Sequence, residues 1–177
     1  LFAAMCGILM LSKEEKDHTA EFLYTHPVSR IQVLNGKLAA LLVQILILNA
    51  AVLLVALVSI YGTGEDIPWK EILLLHLAYL LLQLELAFIC FGISAFLRKG
   101  GTGIGLGLAI VLYFFNIIAN ISDAAEFLKY ISPYGYAEGT DIVVNTSLDG
   151  TLILLGMLYA AIGIVAGYVK YNRKDLM

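Results

Sequence analysis

The chain has little of what soluble enzymes and nucleic-acid binders are built from. Charged residues make up 14% of its 177 residues, the formal charge is -3, and the 11 Lys and Arg are dispersed, which leaves no basic stripe to track a phosphate backbone. No Gly-x-x-x-x-Gly-Lys-Ser/Thr sequence occurs anywhere, so the chain cannot cradle ATP phosphates in the P-loop manner. The glycine-rich run Gly100-Gly101-Thr102-Gly103-Ile104-Gly105-Leu106-Gly107 lacks the lysine, and no strand pattern precedes it. There are 2 cysteines, Cys6 and Cys90, far apart and inside apolar segments, where a thiol serves as a small apolar filler. The 3 histidines, His18, His26 and His76, do not form His-Glu-x-x-His, and Asp17, His18 and Glu21 read as a solvated face rather than a metal site. No solenoid-length repeat and no low-complexity linker divides the chain, so residues 1–177 form one domain.

What is abundant is apolar. Hydrophobic residues reach 60% with a mean hydropathy of +0.88, above the roughly 45–50% of soluble domains. The chain belongs in a bilayer. The run from Leu38 to Tyr61 is long enough to span and is broken only by Gln44, Asn49 and Ser59. Further spans are predicted over 72–97, 104–121 and 152–169. The opening run, 1–11, reaches only about 16 Å as helix against a hydrocarbon core of about 30 Å. We read it as the end of a truncated span, which brings the count to about five segments. It does not read as a signal peptide, for want of a basic leader and a small-residue cleavage site.

Basic residues accumulate in short cytoplasmic loops. Lys13, Lys16, Arg30, Lys37, Arg98, Lys99, Lys170, Arg173 and Lys174 fall on one side of an alternating five-segment chain, and Lys70 and Lys129 on the other. This places the 12–37 connector and the C-terminus in the cytoplasm. The outer loops are acidic, and the one from 122 to 150 is longer than a connection needs. Asp123 to Tyr130 reads as a short helix ended near Pro133, and Tyr130, Tyr134 and Tyr136 suit an interfacial aromatic belt. A partly embedded, re-entrant lid is expected there. Gly103 and Gly107, like Gly163 and Gly167, are spaced for close helix contact in lipid.

The longest polar stretch is the connector, Glu14 to Arg30, closed by Lys37. Within it Ala20, Leu23, Tyr24 and Pro27 recur at i, i+3, i+4, i+7, with Glu14, Asp17, His18, Glu21 and Thr25 opposite. The spacing predicts a short amphipathic helix over 13–26, capped by Asp17 or Thr19. Pro27 interrupts it, so the next span should start near Pro27 or Val28 and occupy 27–61.

The run Glu14-Glu15, then Thr19-Ala20-Glu21-Phe22-Leu23, then Pro27-Val28-Ser29-Arg30 and Lys37, resembles the cytoplasmic signature of ABC-2 type transporter permeases, the membrane subunits of ATP-binding cassette exporters. Ser132-Pro133-Tyr134 resembles that family's re-entrant region, and Tyr171-Asn172-Arg173-Lys174-Asp175-Leu176 its basic-Asp-Leu ending. The resemblance implies an all-α polytopic transmembrane bundle, here about five of six family helices, with the connector as a cytoplasmic coupling helix. It implies that Thr19, Glu21, Phe22 and Leu23 contact a separate nucleotide-binding ATPase subunit, and that Pro27, Ser29 and Arg30 form the elbow into the next span. The partners so implied are that ATPase, which would carry the ATP and Mg, a second permease copy or homologue, and the lipid bilayer. The setting is a plasma membrane, as in a bacterial inner membrane. This chain itself would hold no cofactor and catalyse nothing. The pair Glu14-Glu15 is similar to that of intramembrane CAAX-type proteases, but Thr19 stands where their Arg is expected.

Glu85 is the formal charge at the middle of a span, with Gln83 nearby and Asn49, Asn116 and Asn120 in other spans. A carboxylate at that depth faces the bundle or a water-filled path, or is protonated. Glu85, Gln83, Asn49 and Asn116 are therefore a candidate intramembrane polar site. One reading has Glu85 lining a substrate route; the plainer one has a neutral carboxyl bonded to Gln or Asn. Two rivals to an ATP-driven exporter follow from the same residues: a secondary carrier using Glu85 as a proton relay, and a non-transporting scaffold whose connector recruits a cytosolic partner.

Overall fold

The computed structural model describes residues 1–16, 29–97 and 101–173, the side chains of 13–16 excepted. Those residues form α1 (Phe2–Lys16), α2 (Arg30–Thr63), α3 (Trp69–Ser94), α4 (Thr102–Ile121), a 3-10 helix (Asp123–Tyr130), α5 (Gly139–Asn145) and α6 (Gly150–Asn172). No strand occurs among them, and α2, α3, α4 and α6 are long and apolar enough to cross a membrane. The expected all-α bundle is what forms among these residues.

Helix ends follow local chemistry. The Ser29 hydroxyl accepts from the Gln32 amide at 3.3 Å, while the Gln32 side chain accepts from the Ser29 amide at 2.9 Å. This reciprocal box satisfies two otherwise orphan donors and starts α2 at Arg30. The elbow residues Ser29 and Arg30 are thus the cap and first residue of α2, and Pro27 lies outside the described residues. α2 ends at Gly64, whose φ of 76° needs no Cβ penalty. Asp149 caps α6 by accepting from the Thr151 and Leu152 amides at 2.8 and 3.3 Å. α1 continues through Lys16, past the predicted end of the apolar run at Leu11 and into the first residues assigned to the connector.

α3 is the centre. It packs most extensively on α6 and α1, and also touches α2 and α5. Small residues permit this. A Cβ on Gly92 of α3 would meet the backbone of Gly163 on α6, one on Gly163 would meet Phe88 and Ile89, and one on Gly7 of α1 would meet Ala87. Dispersion contacts over such close backbones take the place of the hydrophobic effect, which drives no association between helices in lipid. The spacing of Gly163 and Gly167 is used in this way within the chain, whereas Gly103 and Gly107 meet no neighbour among the described residues of the same chain. Both face open space, and it is Gly105, on the opposite side of α4, that sits against Ile8 and Ala4 of α1.

Three apolar clusters fill the bundle: one, of Ala4, Ile8, Cys90 and Ala109, joins α1, α3 and α4, and the other two lie toward its ends. At one end Leu11, Leu34, Leu41, Phe91 and Tyr171 join α1, α2, α3 and α6. At the other, Leu82, Leu86, Leu112, Tyr136 and Ile142 join α3 and α4 to the segment between α4 and α6. Tyr136 is therefore a core residue, 5% exposed, and not part of the predicted interfacial belt, whereas Tyr130 is exposed.

Candidate substrate site

Glu85 lies well inside α3 and is 3% exposed. Its Oε2 accepts a hydrogen bond from the Tyr136 hydroxyl at 2.9 Å. Tyr136 reaches it from the segment between the 3-10 helix and α5. Burial, then the adjacent carboxyl, push the Tyr136 phenol above its ordinary range, which keeps it a hydroxyl donor. On the far side stands Gly156 of α6, where an added Cβ would collide with the Glu85 carboxyl. The carboxyl occupies the volume that a side chain at 156 would fill. Its other oxygen, Oε1, is buried with no hydrogen-bond partner among the described residues.

That carboxyl opens onto an apolar groove between α3 and α6 of about 240 Å³, walled by Leu81, Phe88, Ile153, Met157 and Ile164. Glu85 is the sole charged residue in its lining. A half-satisfied carboxyl at the side of an apolar groove is a strong acceptor held where water competes poorly, so it can orient the polar end of an otherwise apolar molecule.

The other predicted polar residues do not join it. Asn49 of α2 donates to the Gln83 side chain at 3.0 Å and to the Ile45 carbonyl at 2.9 Å. Gln83 and Glu85, two positions apart, project to different sides of α3, so one meets α2 and the other the α6 groove. Asn116 and Asn120 of α4 both donate to Glu138 Oε2, at 3.1 and 3.0 Å. The four residues thus fall into three separate pairings. Glu85 is bonded to a tyrosine, in place of the Gln or Asn expected under the plainer reading.

The connector end of the bundle is tied across helices. Arg30 donates to the Asn172 carbonyl of α6 at 3.1 Å, and Lys37 donates to the Met10 carbonyl of α1 at 2.6 Å. The Tyr168 hydroxyl of α6 donates to Asn35 of α2 at 2.5 Å. The first two turns of α2 are therefore fixed to both α1 and α6. The predicted contact residues Thr19, Glu21, Phe22 and Leu23 lie outside the described residues.

Sequence reasoning missed Tyr136 and Gly156. For Tyr136 the signal was weak, since only the need of a mid-span carboxyl for a donor points toward a loop tyrosine. For Gly156 it was present: Gly156, Ala160, Gly163 and Gly167 continue one small-residue face of α6 by helical spacing.

A search among curated proteins and one among solved structures find no match to the chain. The family model described as ABC-2 family transporter protein matches residues 1–176. With that match over nearly the whole chain, on an all-α bundle with four helices apolar enough to span, the chain belongs to the ABC-2 transporter family, as a membrane-embedded transport component.

Proposed function

We propose that the chain is the permease of an ATP-driven exporter. It works as a dimer in a plasma membrane, with the connector and C-terminus on the cytoplasmic face. ATP and Mg are held and hydrolysed by a separate nucleotide-binding subunit that docks on the connector through Thr19, Glu21, Phe22 and Leu23. The observation that carries this reading is the anchoring of the helix next to the connector. Force delivered at Ser29 and Arg30 enters α2 where Arg30 and Lys37 bind it to α6 and α1. A shift of α2 is then passed to α6 and to the groove that α6 shares with α3. Glu85 lines the substrate route there, orienting the polar end of an apolar substrate.

Co-purification with a candidate ATPase, comparing wild type with Glu21→Lys plus Leu23→Asp, tests the docking. Stable binding abolished by the double change supports it, and the absence of an ATPase partner, or binding indifferent to the change, overturns it. The buried, half-satisfied Glu85 also favours a second reading, a proton-coupled carrier. That reading requires transport to survive ATP depletion and to stop when the proton gradient is collapsed; the exporter requires the reverse.

A further inference from the structure

A second cavity, of about 450 Å³, lies at the end of the bundle away from the connector. It is walled by Tyr79 of α3, by Tyr113, Asn116 and Asn120 of α4, and by Tyr134 and Glu138 of the segment leading into α5. Its size is that of a small-molecule site. Its chemistry is distinct from that of the Glu85 groove, because three phenol rings surround one carboxylate and no Lys or Arg contributes to the lining.

The carboxylate is built in place. Both amides hold the same oxygen of Glu138, and no cation lies within ion-pair distance of it among the described residues. Two neutral donors fix its direction without cancelling its charge. Asn116 is 5% exposed, and its Oδ1 is buried with no hydrogen-bond partner among the described residues. An unmet acceptor at that burial costs free energy until a donor arrives. The Tyr113 and Tyr134 rings meet edge to face, with centroids 5.4 Å apart, so their angle is fixed by packing. Phenol faces attract a cation, and desolvation strengthens that attraction.

A fixed carboxylate, an unmet amide acceptor and three phenols are complementary to a group that is positive, carries N–H donors and has an apolar body. We propose that this cavity binds an organic ammonium ion of the primary amine class. Such a group occurs as a free amine or as the head of an aminophospholipid. The proposal is independent of the exporter reading, because binding to the isolated permease needs no ATPase.

The test uses the full-length protein in a nonionic maltoside detergent and ligand-observed NMR titration with tert-butylammonium, tetramethylammonium and tert-butanol. The three share a shape and differ in charge and N–H donors. Saturable binding of tert-butylammonium is expected, weaker binding of tetramethylammonium, and about tenfold or more weaker binding of neutral tert-butanol. Glu138→Gln should weaken tert-butylammonium about tenfold, and Tyr113→Leu severalfold, each variant first confirmed monodisperse. Should Glu138→Gln fail to fold, Glu138→Asp and Tyr113→Leu carry the comparison. Displacement by added phosphatidylethanolamine assigns the site to a lipid head, and indifference to it assigns a free amine. No saturable binding to wild type, equal binding of amine and alcohol, or wild-type affinity in folded Glu138→Gln overturns the proposal.

Discussion

Two neighbouring helices, α2 and α3, are both apolar over their length and are treated by the fold in opposite ways. α2 buries Leu34, Leu41 and Ile45, all in its first half, and then presents Val52, Leu54, Val55 and Val58 outward. α3 buries residues along its whole length, from Ile72 to Ser94, including Glu85. Apolarity does not separate them, since α2 has the higher hydropathy of the two and the smaller buried share. What separates them is the presence of features that lipid cannot satisfy or that a neighbour can approach. α3 carries Gln83 and Glu85, which need partners, and Ala87 and Gly92, which let α1 and α6 come to backbone contact. The second half of α2 offers less: Asn49, near its start, bonds Gln83, and beyond it Gly62 meets no neighbour among the described residues of the chain. In a bilayer, small and polar residues favour burial, and apolar runs that lack them are more readily left on the surface.

Substitutions can break or sharpen that contrast. The largest effect belongs to Gly163→Val, which drives a branched side chain into the α3 backbone at Phe88 and Ile89. A loss of about 3 kcal/mol is expected, read as loss of the monodisperse peak after graded heating. Tyr136→Phe takes from the buried Glu85 the donor it holds and should cost about 2 kcal/mol in detergent-induced unfolding, with Glu85→Gln plus Tyr136→Phe costing less than the sum of the single changes. Ser29→Ala removes the cap of α2 and should cost about 1 kcal/mol, while Ser29→Asp restores it. Asn49→Leu breaks the one side-chain bond found between α2 and Gln83 of α3, for about 0.6 kcal/mol in the same assay. Val55→Leu and Val58→Leu, on the exposed face of α2, should each stay within about 0.5 kcal/mol of wild type. A large effect at Val55 or Val58 would mean that this face packs against protein and not lipid.

The spanning helices were legible because about 30 Å of hydrocarbon imposes a length and a composition that single runs either meet or do not. The caps at Ser29 and Asp149 follow from local chemistry, and the elbow residue Ser29 acts through its capping box. The polar site was legible only as a list of residues. Glu85 was singled out because a mid-span carboxyl is costly, but its partner comes from Tyr136, 51 positions away, through a fold that no helical spacing encodes. Gly103 and Gly107 make no close contact within the described chain for a related reason. Small residues at i and i+4 show that a close face exists, and the rotation of α4, set by Gly105 against Ile8, decides which face it is.

The empty position at Gly156 has a consequence for how the chain can change. Because the Glu85 carboxyl fills the space that a side chain at 156 would take, the two positions, on different helices, are coupled. A larger residue at 156 requires the Glu85 carboxyl either to move aside, away from its present place beside Tyr136, or to be shortened. The pair Gly156→Ala with Glu85→Ala should therefore cost less than the sum of the two single changes in detergent-induced unfolding.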